Sequence, residues 1–159
     1  MSTKNILNEK IGDTLPPATI CTGKWVFEID DCGVSKKAAG TKGWFNLTPV
    51  KPAETDDPDL LVDPAELEEY IGDDRLEDKT VFHSFQFPDR QYECKKFLEA
   101  IGVDVSELQW RHLNEVAGFK FQCVVAHDPN EKDPARPWVR LSAFQPFDDD
   151  EEDEDEEAA

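Results

Sequence analysis

The sequence lacks most of the features by which enzymes are recognised. Its three histidines are scattered, and it contains no nucleophile motif, no Gly-rich phosphate-binding loop and no H-E-x-x-H pair. Carboxylates are abundant, but they cluster in Pro-rich, highly charged stretches that are typical of solvated surface. We therefore expect a protein that is not an enzyme and that needs no cofactor.

Paired metal ligands are missing as well. The four cysteines, Cys21, Cys32, Cys94 and Cys123, form no C-x-x-C pair. Cys123 and His127 have a ligand-like spacing that Cys21 or Cys32 could complete, but no second paired motif accompanies them. Four reduced, mostly buried thiols are the simpler interpretation, so no metal site is predicted.

Long apolar runs are absent too. No segment approaches the roughly 18 apolar residues that cross a bilayer. The first ten residues contain no apolar stretch of the kind found in signal peptides. We expect a soluble protein that is made without a signal peptide and has no membrane partner.

What the chain has in excess is acid, and it is unevenly distributed. The net charge of −19 includes ten consecutive acids at residues 148–157 and twelve more within residues 54–78, where Arg75 is the one cation. The remaining residues carry about +2, which leaves room for a local basic surface. The ten-residue run has no apolar group to bury, so residues 148–159 are predicted to be a disordered tail.

Apolar alternation predicts five strands. They are expected at residues 18–30, 44–50, 80–87, 119–127 and 138–145. Gly23 suggests a bulge within the first strand, and residues 31–43, with three Gly and three Lys, are expected to form a loop. Residues 51–79 are predicted to be an acidic insertion.

Helices are predicted at three places. A short one over residues 63–71 would be capped by Asp63 and stopped by Gly72. A longer one over residues 90–101 would have Asp89 as its N-cap and Tyr92 on its apolar face. A further helical segment is expected over residues 106–113.

This layout indicates a mainly β fold with helices between strands three and four. It is typical of a five-stranded OB-type barrel, and it argues against a doubly wound fold. We expect a flexible lead-in over residues 1–14, one domain over residues 15–147 that contains the insertion 51–79, and the acidic tail.

Five motifs occur in a characteristic order along nearly the whole chain. They are Leu15-Pro-Pro17, Ser35-Lys-Lys-x-x-Gly-Thr-Lys42, Phe97-Leu-Glu-Ala-Ile-Gly102, Val116-Ala-Gly-Phe119, and Pro146-Phe147 before the acidic tail. In this order they resemble the phage-encoded single-stranded-DNA-binding proteins. The resemblance implies an OB-fold core that binds single strands without sequence specificity. It implies a role in phage DNA replication, recombination and repair in the cytoplasm of the infected bacterial host.

The same resemblance implies that the tail binds replication or recombination proteins. Its candidate residues are Phe147, Asp148, Asp149, Asp150, Glu151, Glu152, Asp153, Glu154, Asp155, Glu156 and Glu157. Many tails of this family end in an aromatic residue, whereas this chain ends in Glu157-Ala-Ala159. Such a tail could also compete with DNA for a cationic groove, because a short tether gives it a high effective concentration.

Strand alternation sorts the candidate DNA contacts by face. Binding single strands needs aromatic faces for bases and cations for phosphates. The outward-facing candidates are Trp44, Phe82, Lys120, Trp138 and Arg140, and the loop lysines Lys36, Lys37 and Lys42 could add phosphate contacts. Trp25, Phe27, Val139 and Leu141 are expected to point inward, and Trp110 is expected to pack. Any one of the outward candidates could equally be an ordinary surface residue.

A second function fits the charge. The chain could be an acidic interaction protein, such as a DNA mimic that occupies the groove of a host nuclease or repressor. Against this, most acids lie in one insertion and one tail rather than on a rigid surface. The insertion itself could shield part of the groove or form a homodimer contact.

Overall fold

Five strands form one antiparallel sheet in the computed structural model, which describes residues 10–11, 19–38, 40–134 and 136–147. The strands are β1 (Gly23–Lys37), β2 (Gly40–Pro52), β3 (Val81–Phe87), β4 (Lys120–Asp128) and β5 (Trp138–Pro146). Their order in the sheet is β3-β2-β1-β4-β5. The predicted mainly β class is therefore confirmed.

Helices occupy the connections on both sides of β3. The α-helices are α1 (Pro64–Ile71) and α2 (Gln91–Ala100), and 3-10 helices span Pro58–Leu60, Leu76–Asp78 and Trp110–Val116. The predicted helical excursion between the third and fourth strands is confirmed by α2 and Trp110–Val116. No helix in the described ranges is long and apolar enough to cross a membrane. The predicted lead-in and the acidic tail lie mostly or wholly outside the described residues.

The hairpin of β1 and β2 is longer than predicted. Residues 31–43, expected to be a loop, instead continue both strands until Lys37 pairs with Gly40. At the bulge beyond Ile29, the Asp31 carboxylate accepts a hydrogen bond from the backbone N–H of Cys32 at 2.9 Å. The prediction was wrong because Gly and Lys have low strand propensity, which continuous cross-strand pairing overrides here.

Gly23 begins β1 rather than forming a bulge inside it. Its φ is +135°, a conformation that favours glycine. A Cβ at this position would lie 2.7 Å from Cγ2 of Val62 and 3.0 Å from the backbone oxygen of Leu60. Gly23 therefore lets the insertion pack closely against the start of the sheet.

The inner face of the sheet buries a cluster of aromatic rings centred on Phe97 of α2. The centroid of the Phe97 ring lies 5.0 Å from that of Phe45, 5.5 Å from that of Phe121 and 4.7 Å from that of Phe144. Trp25 and Phe27 are fully buried beside this cluster, as predicted. Burial of these rings is the main source of stability for the sheet and α2.

The two α-helices test the capping predictions differently. In α1 the Asp63 carboxylate accepts a hydrogen bond from the Ala65 N–H at 3.1 Å, and Gly72 ends the helix with a φ of +57°, as predicted. In α2 the cap residue is Arg90, which makes no side-chain cap bond, so the predicted Asp89 cap is wrong.

The buried face of α2 also differs from the prediction. Tyr92 is 63% exposed, whereas Cys94, Phe97, Leu98 and Ile101 are buried. Those four follow the i, i+3, i+4, i+7 spacing of one helical face, and a residue two positions before Cys94 points roughly away from it. Placing Tyr92 on the apolar face was therefore wrong.

The last helical segment lies later than predicted. It is the 3-10 helix Trp110–Val116, kinked at His112, and it does not cover residues 106–109. Trp110 packs against Phe87 with ring centroids 5.0 Å apart, which confirms its predicted packing role.

The edge strands β3 and β5 do not pair with each other, so the sheet is not closed into the predicted barrel. We call the line between these two edges the seam. On its inner side the rings of His83 and Phe144 approach to 5.8 Å, and both contact Phe97. Side chains, rather than backbone hydrogen bonds, close the interior at this point.

Candidate nucleic-acid interface

The outer face of β2 and β3 brings together three predicted contacts. Trp44 is half-buried opposite Gly33 of β1, where an added Cβ would lie 3.3 Å from the indole. Phe82 is 53% exposed. The Nζ of Lys42 lies 5.2 Å from the centroid of the Phe82 ring, within cation–π range. This face therefore offers two aromatic rings beside one cation.

Of the two lysines at the end of β1, one shares that face. Lys36 and Lys37 are both exposed, but they lie in a strand rather than in the predicted loop. Successive strand residues point to opposite faces. Since Gly33 pairs with Trp44, Lys37 lies on the face of Trp44 and Lys36 lies on the other.

Lys120 lies in a different part of the outer surface. Its Cα partner on β1 is Glu28, and both residues line a cavity of about 410 Å³ together with Arg75 of the insertion. An opposite charge directly across the strand pair stabilises the sheet locally. The structure therefore separates Lys120 from Trp44 and Phe82.

Arg140 is exposed, as predicted, but it has an ion-pair partner. Its Nε lies 3.0 Å from Oδ2 and 3.3 Å from Oδ1 of Asp128. Exposed pairs contribute at most about 1 kcal/mol, so a phosphate could take the place of this carboxylate.

Two apolar residues of β5 had been expected to point inward. Leu141 is partly buried against the core, in line with that prediction. Val139 is 37% exposed, so placing it inward was wrong. It lies near the start of an edge strand, paired on one side alone, with β4.

Phe82 and Trp138 meet at the outer side of the seam, although they are far apart in the chain. Both line a cleft of about 490 Å³. We call it the seam cleft; its main lining residues are Tyr70, Val81, Phe82, Arg136, Trp138 and Val139. Trp138 is 62% exposed. The structure thus joins two predicted contacts in one concave site.

Tyr70 and Arg136 were not among the predicted site residues. Tyr70 comes from α1, and its ring packs against Trp25 at 6.2 Å. Burial raises the pKa of Tyr70 to about 12, so the phenol is neutral. The apolar positions Leu67 and Tyr70 within the acidic insertion were the available signal for Tyr70. Arg136 had none, because it lies in a charged, Pro-punctuated loop.

The root of the tail lies on the outer surface. The Nζ of Lys51 lies 5.4 Å from the centroid of the Phe147 ring, and Gln122 Nε2 donates a hydrogen bond to the Pro146 carbonyl at 3.0 Å. The predicted tail contacts Asp148 to Glu157 lie outside the described residues. Phe147 is therefore held against β2 at the point where the acidic run begins.

The twelve acids of the insertion are all exposed. The insertion is nevertheless folded, since it contains α1 and two 3-10 helices and is anchored through Tyr70. The expectation that these acids do not lie on an ordered surface was therefore wrong. Apolar residues spaced among the charges fix the segment to the sheet.

Buried polar groups serve the interior. Burial lowers the pKa of His83 to about 4, and its Nε2 has no hydrogen-bond partner. The four cysteines are free thiols and buried, as predicted, and burial raises the pKa of Cys123 to about 12. The Nε2 of His127 lies 2.6 Å from the Ile20 carbonyl oxygen. In the part of the chain that the structure describes, no three His, Cys, Asp or Glu side chains are grouped to hold a metal.

No protein-family model matches the sequence, and no curated protein matches it. The case for a function therefore rests on the residues and their arrangement.

Proposed function

We propose that this protein binds single-stranded DNA without sequence specificity and acts in phage DNA replication and recombination in the bacterial host. The observation that carries the proposal is the outer surface of β2, β3 and β5. There Trp44, Phe82 and Trp138 present aromatic rings next to Lys37 and Lys42.

The chemistry of that surface suits a single strand. Every base has a π face that can stack on an aromatic ring, and every nucleotide carries a phosphate that a cation can contact. Neither interaction depends on base identity. Few side chains on this surface present hydrogen-bond groups in a fixed array for reading base edges, so binding without sequence preference is the expected outcome.

The fold is compatible with this function. The OB fold is a five-stranded, partly open barrel that binds oligonucleotides. A five-stranded antiparallel sheet that is open at one seam, with helices between β3 and β4, supports an OB-type assignment.

The acidic tail has two roles in the proposal. It competes with DNA for the outer surface, and once displaced by DNA it binds replication or recombination proteins. The contact of Phe147 with Lys51 supports the first role, because it places the beginning of the acidic run on the same side of the sheet.

Titration of a fluorescently labelled oligo-dT tests the proposal. Fluorescence anisotropy of the full-length protein should rise with protein concentration, and the affinity should fall as salt is added. Trp44→Ala should weaken binding roughly fivefold or more, since a stacked base contributes about 1–3 kcal/mol. Tyr92→Ala is the matched control, because Tyr92 is as exposed but lies on α2.

A DNA mimic is the second candidate, and one observation favours it: twelve exposed acids on a folded segment. A mimic would bind a basic DNA-binding protein and would not retain oligo-dT at low salt. Absence of oligo-dT binding by the wild type would therefore contradict the first proposal and favour the second.

A further inference from the structure

We propose that the seam cleft takes up one nucleobase of the bound strand. This inference rests on the proposed function and names a site within it. The cleft would hold the base in a recess between β3 and β5, apart from the open surface around Trp44.

Exposed apolar side chains are concentrated at this cleft. In the described part of the chain, the large hydrophobic side chains that remain exposed are Ile11, Leu61, Phe82, Tyr92, Trp138 and Val139. Three of these six line the seam cleft. Apolar groups left in water at one concave place mark a ligand site, because isolated exposed residues would be scattered.

The size and the lining of the cleft fit an aromatic ligand. Its volume of about 490 Å³ falls within the usual range for small-molecule sites. Phe82 comes from one edge strand and Trp138 from the other, and the buried Tyr70 forms part of the floor. A flat base could stack there on a ring and leave water at the same time.

A cation stands at this cleft in a braced loop. The side chain of Asn130 donates to the Arg136 carbonyl at 2.9 Å, and the Arg136 N–H donates to the Asp133 carbonyl at 3.0 Å. Arg136 itself is exposed, and its guanidinium has no ion-pair partner among the described residues. It can therefore contact the phosphate next to a base in the cleft.

The charges around the cleft favour a nucleotide of a longer strand over an acidic peptide. Lys42 lies over Phe82, so a second cation stands beside the same ring. A base between these two cations would have a phosphate on each side within reach of one of them. An acidic peptide would supply charge but no flat ring for Phe82 and Trp138.

A double-mutant cycle on oligo-dT tests the inference. Phe82→Ala and Trp138→Ala should each weaken binding, by roughly 5- to 100-fold. Because one base would contact both walls, the double variant should lose little more than the more affected single variant. Arg136→Ala should weaken binding and reduce its salt dependence. Tyr92→Ala, whose ring lies between Lys95 and Lys96 away from the cleft, should have little effect.

The outcomes separate the two proposals. If wild type binds and Trp44→Ala weakens it, but the cleft variants behave like Tyr92→Ala, the cleft inference is wrong and the proposed function stands. If the losses of the two cleft variants multiply, the rings serve different bases, and the single-base site is wrong. If wild type does not bind oligo-dT, both proposals fall.

A second measurement needs no variant. The wild-type protein is irradiated with an oligonucleotide that contains 5-iodouracil, and the adduct is located by mass spectrometry. Cross-links at Phe82 or Trp138 support the inference, and cross-links confined to Trp44 overturn it.

Discussion

Phe82 and His83 are neighbours on β3, yet they lie in opposite environments. The apolar ring of Phe82 is exposed at the outer side of the seam, whereas the more polar ring of His83 is buried among Phe85, Phe97 and Phe144. Alternation along a strand requires that one of two neighbours point inward, but it does not select the polar one. The usual placement of apolar and polar residues is reversed here.

The reversal shows how the two sides of the seam differ. On the inner side, ring packing stabilises the fold, and a buried imidazole without a partner at Nε2 is a cost to that stability. On the outer side, a phenylalanine in water contributes little to folding and is available to a ligand. The inner side should therefore respond to substitution in stability, and the outer side in binding.

The largest expected effect tests this division directly. Phe97→Ala should lower the free energy of unfolding by about 3–5 kcal/mol, because it leaves a cavity among five rings. Phe82→Ala should change it by no more than about 0.5 kcal/mol, because the ring is half in water. Urea denaturation followed by circular dichroism measures both.

Phe97→Leu keeps the measurement possible if the alanine variant does not fold. A loss of stability in Phe82→Ala as large as that in the Phe97 variants would show that the outer ring is a packing residue, and the contrast between the two sides would fail.

The next effect is a pH dependence that arises from His83. Burial lowers the pKa of His83 from 6.5 to about 4, and the nearby positive charge of Arg90 lowers it further. Between pH 6.5 and 4 the unfolded chain takes up this proton while the folded chain does not. Stability is therefore fully present above pH 6.5 and falls with pH across that window, by on the order of 3 kcal/mol in total.

Urea midpoints at several pH values, measured for wild type and for His83→Phe, isolate this contribution. The phenylalanine variant should lose the part of the slope that comes from the imidazole, because its ring cannot take up a proton. Parallel curves for the two proteins would contradict the assignment.

The smallest effect concerns the outer surface near the tail. Phe147→Ala removes the ring that lies by Lys51, a contact that contributes about 0.5–1 kcal/mol at an exposed site. If this contact positions the acidic run over the DNA-binding surface, its loss should tighten oligo-dT binding roughly two- to fivefold. Anisotropy titration at low salt measures the change.

Two controls apply to the tail prediction. In a chain that ends at residue 147 the same substitution should have no effect on DNA affinity, since the acids are gone. Weaker binding by Phe147→Ala in the full chain would instead show that Phe147 contacts DNA itself.

Strand faces could be predicted from the sequence because the alternation is local. Trp44 faces out while Phe45 is buried, and Phe82 faces out while His83 points inward, as the two-residue period requires. The cap and stop of α1 were equally local, since Asp63, Pro64 and Gly72 act on backbone groups within one turn.

The rest depended on tertiary contacts. The extension of β1 through residues 31–37 is stabilised by pairing with β2, against the propensity of its glycines and lysines. The ordered insertion is held by Tyr70, whose signal was hidden among charged neighbours. The seam cleft requires the order of all five strands, because Phe82 and Trp138 come from opposite edges of the sheet.

The open seam has a mechanical consequence. The pairs β3–β2, β2–β1, β1–β4 and β4–β5 are each joined by a ladder of backbone hydrogen bonds. Across the seam the described residues make side-chain contacts alone, such as that of His83 with Phe144. The sheet is therefore least stiff along this line. Its two edges can separate by a small amount at the cost of dispersion contacts, while every strand pair of the sheet stays intact.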